Sequence, residues 1–283
     1  MVNKQAIIER ACEVLRESTN GDIVTLKNVL GADTGVSAPI GIDEEGNIKR
    51  HSVPRLPNLL VAGCAGTGKS IFLHALVSSL MLTNTPEEMQ FVLIDPKRVE
   101  FTIYNGLSHL YNRHVYDDGD VEFLLDDLLD EVVARNDIFS EFAVSNVFEY
   151  NEWAKKVGVE TLPYIVVVVD EFCDLQSNSV TEKLINLLKN CRSVGIHFIL
   201  ATQQPELCVL QNALKAYFNA KLVFRTATAQ DSWAILGKTN AKGLRVGEAL
   251  FRPLTGKITK LKVPYVSFSD TQKIVKILKE EYE

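Results

Sequence analysis

Apolar residues recur at Ala6, Ile7, Ala11, Val14 and Leu15, a spacing that predicts an amphipathic helix within residues 1–20. Residues 21–57 break that rhythm. Gly31, Gly35, Pro39, Gly41, Gly46, Pro54 and Pro57 punctuate them, which predicts short strands and a hairpin around Asp43-Glu44-Glu45-Gly46. From Leu59 onward, strand-length apolar runs at 59–62, 91–94, 164–169, 197–201 and 221–225 alternate with helical segments. Several runs are apolar on both faces, as strands inside a parallel sheet must be. The alternation predicts a doubly wound α/β fold, with a mostly parallel central sheet and helices on both faces. After Gly237, residues 248–252 and 261–266 read as a hairpin flanking Leu254-Thr255-Gly256. Residues 271–282 read as a last helix with Ile274, Val275, Ile277 and Leu278 inward. No internal repeat or low-complexity linker interrupts the chain. The expected organisation is a small N-terminal α/β segment, 1–55, followed by the main core, 56–283.

Composition narrows the class. Hydrophobic residues make up 46% and charged residues 23% of the 283, enough to build a core and too apolar for a disordered chain. The net charge of −6 excludes a generally basic, histone-like protein. Eight acids (Asp117, Asp118, Asp120, Glu122, Asp126, Asp127, Asp130 and Glu131) crowd one stretch, with leucines and valines interleaved at helical spacing. That pattern fits a solvated helix face; the alternative, a metal site, lacks an EF-hand arrangement. No run approaches the ~20 apolar residues of a membrane helix, and the first residues have no signal-peptide core. The five cysteines form neither CxxC metal spacing nor a disulfide framework, so the expected compartment is the reducing cytoplasm.

The sharpest chemical signal is Gly63-Cys64-Ala65-Gly66-Thr67-Gly68-Lys69-Ser70. It satisfies G-x-x-x-x-G-K-[ST] at every defined position, between an apolar strand and a helix. Glycines let the backbone wrap closely and aim its N–H groups at phosphate oxygens, and the helix N-terminus adds positive potential. Lys69 is expected to neutralise β/γ-phosphate charge and Ser70 to ligate Mg²⁺, making ATP and Mg²⁺ the expected cofactors.

The second signal is the apolar run ending in Asp170-Glu171, the Walker B pattern. Asp170 is expected to hold Mg²⁺ through water, and Glu171 to act as general base toward the attacking water. The third is the run ending in Thr202-Gln203. On a strand lying between the two Walker strands, Gln203 would point at the γ-phosphate as a sensor; the alternative is a strand-ending glutamine bonding a loop. Cys64 and Cys173 would then lie near the nucleotide, as small packing residues or redox-sensitive thiols. His109 and His114 lack a partner cluster and read as structural.

Beyond the two Walker motifs, Leu56-Pro57-Asn58-Leu59-Leu60-Val61-Ala62-Gly63 runs into the phosphate loop. Ile94-Asp95-Pro96-Lys97 follows, with Glu100, Tyr104, Gly106, His109 and Leu110. Val168-Val169-Asp170-Glu171-Phe172-Cys173-Asp174-Leu175, Arg192-Ser193-Val194-Gly195-Ile196-His197, Ala201-Thr202-Gln203 and Asp231-Ser232 with Ile235-Leu236 complete the set. In order and spacing, over about residues 35–270, these resemble the motor domain of the FtsK/SpoIIIE DNA translocases, in the wider FtsK–HerA group.

The resemblance implies a RecA-like P-loop NTPase fold and a hexameric ring that threads double-stranded DNA, with nucleotide between subunits. The isolated domain could equally be monomeric. Arg192 matches the arginine offered across the interface to a neighbour's γ-phosphate; otherwise it is a surface or helix-capping residue. Lys215 and Lys221 fall on basic positions of the family segment, as DNA-backbone contacts or as solvated lysines. Arg225 is either a second sensor or a strand-end residue. Gln204 and Val133-Ala134-Arg135-Asn136 depart from the family pattern, and these residues do not include the family's winged-helix or membrane-anchoring regions, so the expectation is either an excised motor domain or a soluble branch such as those on mobile elements. Residues 38–43 also resemble ATPases of type VII secretion and conjugation, so a coupling ATPase with a protein substrate is the alternative to a DNA motor.

Overall fold

The computed structural model describes residues 3–15, 23–30, 37–52, 58–117, 119–175, 177–203, 216–238 and 240–283. Among these residues ten strands form one sheet: β1 (Ser37–Asp43), β2 (Ile48–Ser52), β3 (Leu59–Ala62), β4 (Met89–Ile94), β5 (Leu110–Tyr116), β6 (Tyr164–Val169), β7 (Ile196–Thr202), β8 (Ala220–Val223), β9 (Glu248–Arg252) and β10 (Thr259–Lys262). Their order is β2-β1-β10-β9-β8-β3-β7-β6-β4-β5. Pairing is parallel from β8 through β3, β7, β6 and β4 to β5, and antiparallel from β8 out to β2. The apolar runs account for the centre. All six residues of β6, Tyr-Ile-Val-Val-Val-Val, are buried, as are all seven of β7.

The helices among the described residues are α1 (Lys4–Val14), α2 (Leu26–Val29), α3 (Lys69–Thr83), α4 (Val121–Glu141), α5 (Val147–Val157), α6 (Asn178–Asn190), α7 (Ala229–Leu236) and α8 (Phe268–Tyr282). The chain steps from β3 to β4 in one direction along the sheet and from β5 back to β6 and β7 in the other. Right-handed crossovers therefore place α3 on one face and α4 with α6 on the opposite face. Helix α3 is apolar almost all round and buried, packed against α1, α8 and β1. Helix α4 carries the acidic stretch. Its Leu124, Leu125, Leu128 and Val132 face the core, while Glu122, Asp126, Asp127 and Asp130 are exposed. Lys183 of α6 pairs with Glu122 and Asp126.

Among the described residues, Arg135 of α4 is the largest fully buried side chain. Its guanidinium donates to Glu131 Oε1 (2.7 Å) and to the carbonyls of Pro163 (2.8 Å) and Val194 (2.7 Å). These carbonyls precede β6 and β7, so one side chain fixes where both strands begin.

The N-terminal strands extend the same sheet rather than forming a separate layer, since β1 pairs with β10. The hairpin at residues 43–47 closes through Asp43, whose carboxylate accepts the N–H groups of Glu45 and Asn47. The apolar runs do not announce β5. Its Tyr-Asn-Arg-His interior is polar, Asn112 has φ of 53°, and its pairing with β4 shifts register, all features of an edge strand. The last hairpin strand is also shorter than its apolar pattern. Residues 263–265 leave it because Val263 N–H bonds Gly247 and Tyr265 N–H bonds Val24.

Candidate active site

Loop 63–68 connects the C-terminal end of β3 to the first turn of α3. Two of its glycines are required sterically. At Gly63 a Cβ would lie 2.7 Å from the Phe224 side chain, and the residue has φ of 150°. Gly68 caps α3 with φ of 107°, a left-handed conformation that a side chain disfavours. Cys64 N–H donates to Arg225 O (2.9 Å), the Thr67 hydroxyl to Cys64 O (2.7 Å), and Gly247 N–H to Thr67 O (3.1 Å). The Lys69 ammonium is folded into the loop on the carbonyls of Gly63 (2.6 Å) and Cys64 (2.9 Å). Burial pushes it below the ordinary lysine range, opposed by Glu171 and Asp170.

Strand β7 lies between β3 and β6, the two Walker strands, which sets Thr202 and Gln203 beside Asp170 and Glu171. Glu171 has φ of 58°, a strained value for a non-glycine residue. Its carboxylate accepts Gln203 N–H (2.9 Å) and the Thr202 hydroxyl (3.1 Å), and its side chain is buried. These bonds aim the acid while leaving lone pairs for a water. Gln203 therefore reaches the site through its backbone N–H as well as its place at the strand tip. The Thr202 hydroxyl also lies 3.0 Å from Cys173 Sγ. Cys173 is disulfide-bonded, contrary to the sequence reading of the cysteines.

Asp170 is pushed up to about 6, chiefly by burial and then by Glu100, Asp95 and Glu171. Glu100 is a site residue that motif reading leaves out. Asp95 Oδ2 accepts the N–H groups of Glu100 (2.8 Å) and Phe101 (2.9 Å), turning the chain after β4 so that Glu100 comes up to α3. There His74 and Ser70 hold its carboxylate below the usual range, with His74 Nε2 at 3.5 Å. Two signals could have found it. Asp95 and Glu100 belong to the motif after β4, and Ser70 and His74 stand four apart on one helix face.

The donor set is the hydroxyl of Ser70 and the carboxylate of Asp170, inside an acidic cluster that disfavours its own ionisation. All donors are hard oxygens, which fits Mg²⁺. Among the described residues no three His, Cys, Asp or Glu side chains converge to hold a metal by themselves. That arrangement suits a dication bound by few protein groups together with phosphates.

The remaining expected residues are dispersed. Arg192 is exposed, between α6 and the start of β7. The seven residues of β7 put it about 20 Å from the phosphate loop, at the opposite end of the sheet. Lys221, on β8, donates its ammonium to Ile235 O (2.7 Å) and is half-buried. Arg225 is exposed and touches the phosphate loop through its carbonyl. Lys215 lies outside the described residues. His109 is buried with Nε2 on Asn84 O (2.9 Å) and its ring edge-on to Tyr282, a structural role as expected. No helix among the described residues is long and apolar enough to cross a membrane.

Solved structures share this architecture. The cytoplasmic domain of the type VII secretion ATPase EccC of Thermomonospora curvata superposes with a TM-score of 0.79 at 22% identity, over 90% of this chain and 34% of that one. The pCW3 conjugation coupling protein TcpA, solved with ATPγS, gives 0.75 at 21% identity, over 98% and 75%. The fold is thus that of P-loop ATPases. In sequence, the DNA translocase FtsK of Streptococcus pyogenes is 33% identical over 88% of this chain, and that of Oceanobacillus iheyensis 33% identical over 96%. The chain spans about a third of the length of these relatives, 32% and 35%. The FtsK/SpoIIIE family model matches residues 16–207, a span that runs from the N-terminal segment through the phosphate loop and both acids to Gln203. With loop, acids and strand order agreeing with that match, the chain belongs to the FtsK/SpoIIIE family.

Proposed function

We propose that this chain is an ATP-hydrolysing motor that translocates double-stranded DNA as a homo-oligomeric ring, six subunits being the expected number. The observation that carries the reading is the complete hydrolytic set, Lys69, Ser70, Asp170 and Glu171, with Glu171 pinned by strand β7. In this reading Lys69 and the loop N–H groups hold the β- and γ-phosphates, while Ser70 and Asp170 hold Mg²⁺, which supplies charge neutralisation at the phosphates. Glu171 accepts a proton from the attacking water, and the Gln203 and Thr202 bonds keep it oriented. Arg192 lies too far from its own subunit's loop to serve it, so it would act on a neighbour's γ-phosphate. Hydrolysis would then depend on assembly.

The family membership and the 33% identical relatives named DNA translocases support DNA as the substrate. Contact with DNA would run through phosphates without base reading. The test is the ATPase rate against duplex DNA concentration, repeated at several protein concentrations. The expected result is stimulation by DNA that weakens with salt and rises with protein concentration. A flat DNA response in verified oligomers overturns the DNA reading, and stimulation by a signal peptide instead replaces it with a protein-coupling ATPase. Lys69→Ala should abolish nucleotide binding; Glu171→Gln should bind and not turn over.

A further inference from the structure

Cys173 lies two residues after Glu171, in the single 3₁₀ turn Phe172–Leu175 that follows β6. Phe172 and Leu175 are buried, Asp174 N–H donates to Glu171 O (3.1 Å), and the Asp174 carboxylate pairs with Lys97 (2.9 Å). Cys173 is half-buried against Thr202 of β7. It is disulfide-bonded, whereas Cys12, Cys64 and Cys191 are free, so its partner lies outside the described residues. ATP hydrolysis itself has no use for a covalent bond at this position.

The bond bears on the general base through one hydroxyl. Thr202 Oγ1 lies 3.0 Å from Cys173 Sγ and 3.1 Å from Glu171 Oε1. A disulfide sulfur has no proton to donate and accepts weakly, so the single hydroxyl proton of Thr202 goes to the carboxylate. A thiol in the same place adds an S–H donor on a side chain free to turn, and competes for both oxygens. Glu171 also needs outside support, because its φ of 58° is strained and persists only where neighbours enforce it. A tether at Cys173, two residues away, is such support. Disulfides in reducing compartments are transient and usually redox-sensing, and an accessible one is open to exchange.

We propose that Cys173 is a reversible thiol–disulfide modification site that sets the alignment of Glu171. Oxidised, it holds the turn against Thr202 and keeps hydrolysis fast; reduced, it releases both and slows it. The reductant is a dithiol. One of its thiolates attacks the protein disulfide, breaking the S–S bond and expelling one cysteine sulfur, which takes up a proton. Its second thiol attacks the mixed disulfide and frees the other cysteine. Two electrons and two protons pass to the protein, and the dithiol leaves as a disulfide. This inference rests on the ATPase reading and adds a control to it.

The test uses the full chain purified without reductant, before and after treatment with dithiothreitol. Peptide mapping should find Cys173 in a disulfide-linked pair of peptides before treatment and as a thiol after it. On reduction, kcat for ATP should fall about three- to tenfold with KM nearly unchanged, a partial loss of one hydrogen bond to a charged group. Exchange of the Gln203 N–H, which Glu171 accepts, should quicken. Cys173→Ala should match the reduced chain and ignore dithiothreitol, and Thr202→Val should be slow in both states. A free Cys173 thiol in the untreated chain overturns the inference, and so does an unchanged kcat across a verified reduction; ATP turnover in either case leaves the ATPase reading standing. A Cys173→Ala chain that still slows with dithiothreitol places the effect elsewhere and overturns it too. No ATP turnover in either state removes the ATPase reading and this inference together.

Discussion

Glu171 illustrates what a motif leaves unsaid at the scale of the residue. The two acids after an apolar strand are legible in the sequence. The positive φ of 58° and the bonds from Thr202 and Gln203 are not, because they depend on which strand lies beside β6. They make Thr202 a positioning residue whose effect can be measured. Thr202→Val should lower kcat about tenfold, the rough worth of one hydrogen bond to a charged group, with KM for ATP nearly unchanged. Thr202→Ser should recover most of the rate, whereas an effect of mere packing would not return with serine. Glu100 was hidden for a similar reason. Its place beside Ser70 and His74 is set by the Asp95 turn, a contact that membership of the motif after β4 does not state.

Among elements, those with unmistakable periodicity are where the hydrophobic pattern puts them: β3, β4, β6, β7 and the closing helix α8. The edge strand β5 escaped because one polar side chain after another replaces the apolar run that a central strand needs. Arg135 escaped because a charged residue on an amphipathic helix is expected to face water, whereas here it is 1% exposed. Its three bonds join α4 to the residues that precede β6 and β7. Arg135→Ala should cost about 3 kcal/mol, through two buried carbonyls left without donors and a cavity. Urea denaturation followed by circular dichroism measures this. A loss below about 1 kcal/mol would mean that water replaces the guanidinium at no cost.

At the scale of the molecule, buried histidines set an acid limit. Burial lowers His109 to about 4 and His51 to about 3. The unfolded chain takes up these protons near pH 6.5 and the folded chain does not. The stability they contribute is therefore complete above pH 6.5 and is lost as the pH falls toward 4, by up to about 1.4 kcal/mol per pH unit for each. Asp170 acts in the opposite sense. Raised to about 6, it destabilises the fold above that pH and relieves it below. His109→Phe isolates one histidine: the variant should lose less stability than the unmodified chain between pH 6.5 and 4, as read from melting temperatures across that range. Assembly is tested at the same scale. Lys69→Ala and Arg192→Ala should each be inactive alone, yet regain hydrolysis when mixed, since intact loops from one meet intact arginines from the other. Mixtures that stay inactive would place Arg192 outside the reaction.

Strand β7 is paired with β3 from Ile199 to Thr202 and with β6 from Ile196 to Leu200, with every residue buried. Sliding it along its axis would break both ladders at once, so it has no freedom to travel as a piston between its neighbours. Its two termini are nonetheless the places where Glu171 is gripped and where Arg192 emerges. A disturbance at either terminus is thereby borne by the sheet as one stiff plate. Compliance is left to the turns at its rims, and any mechanical stroke would arise there rather than in the core.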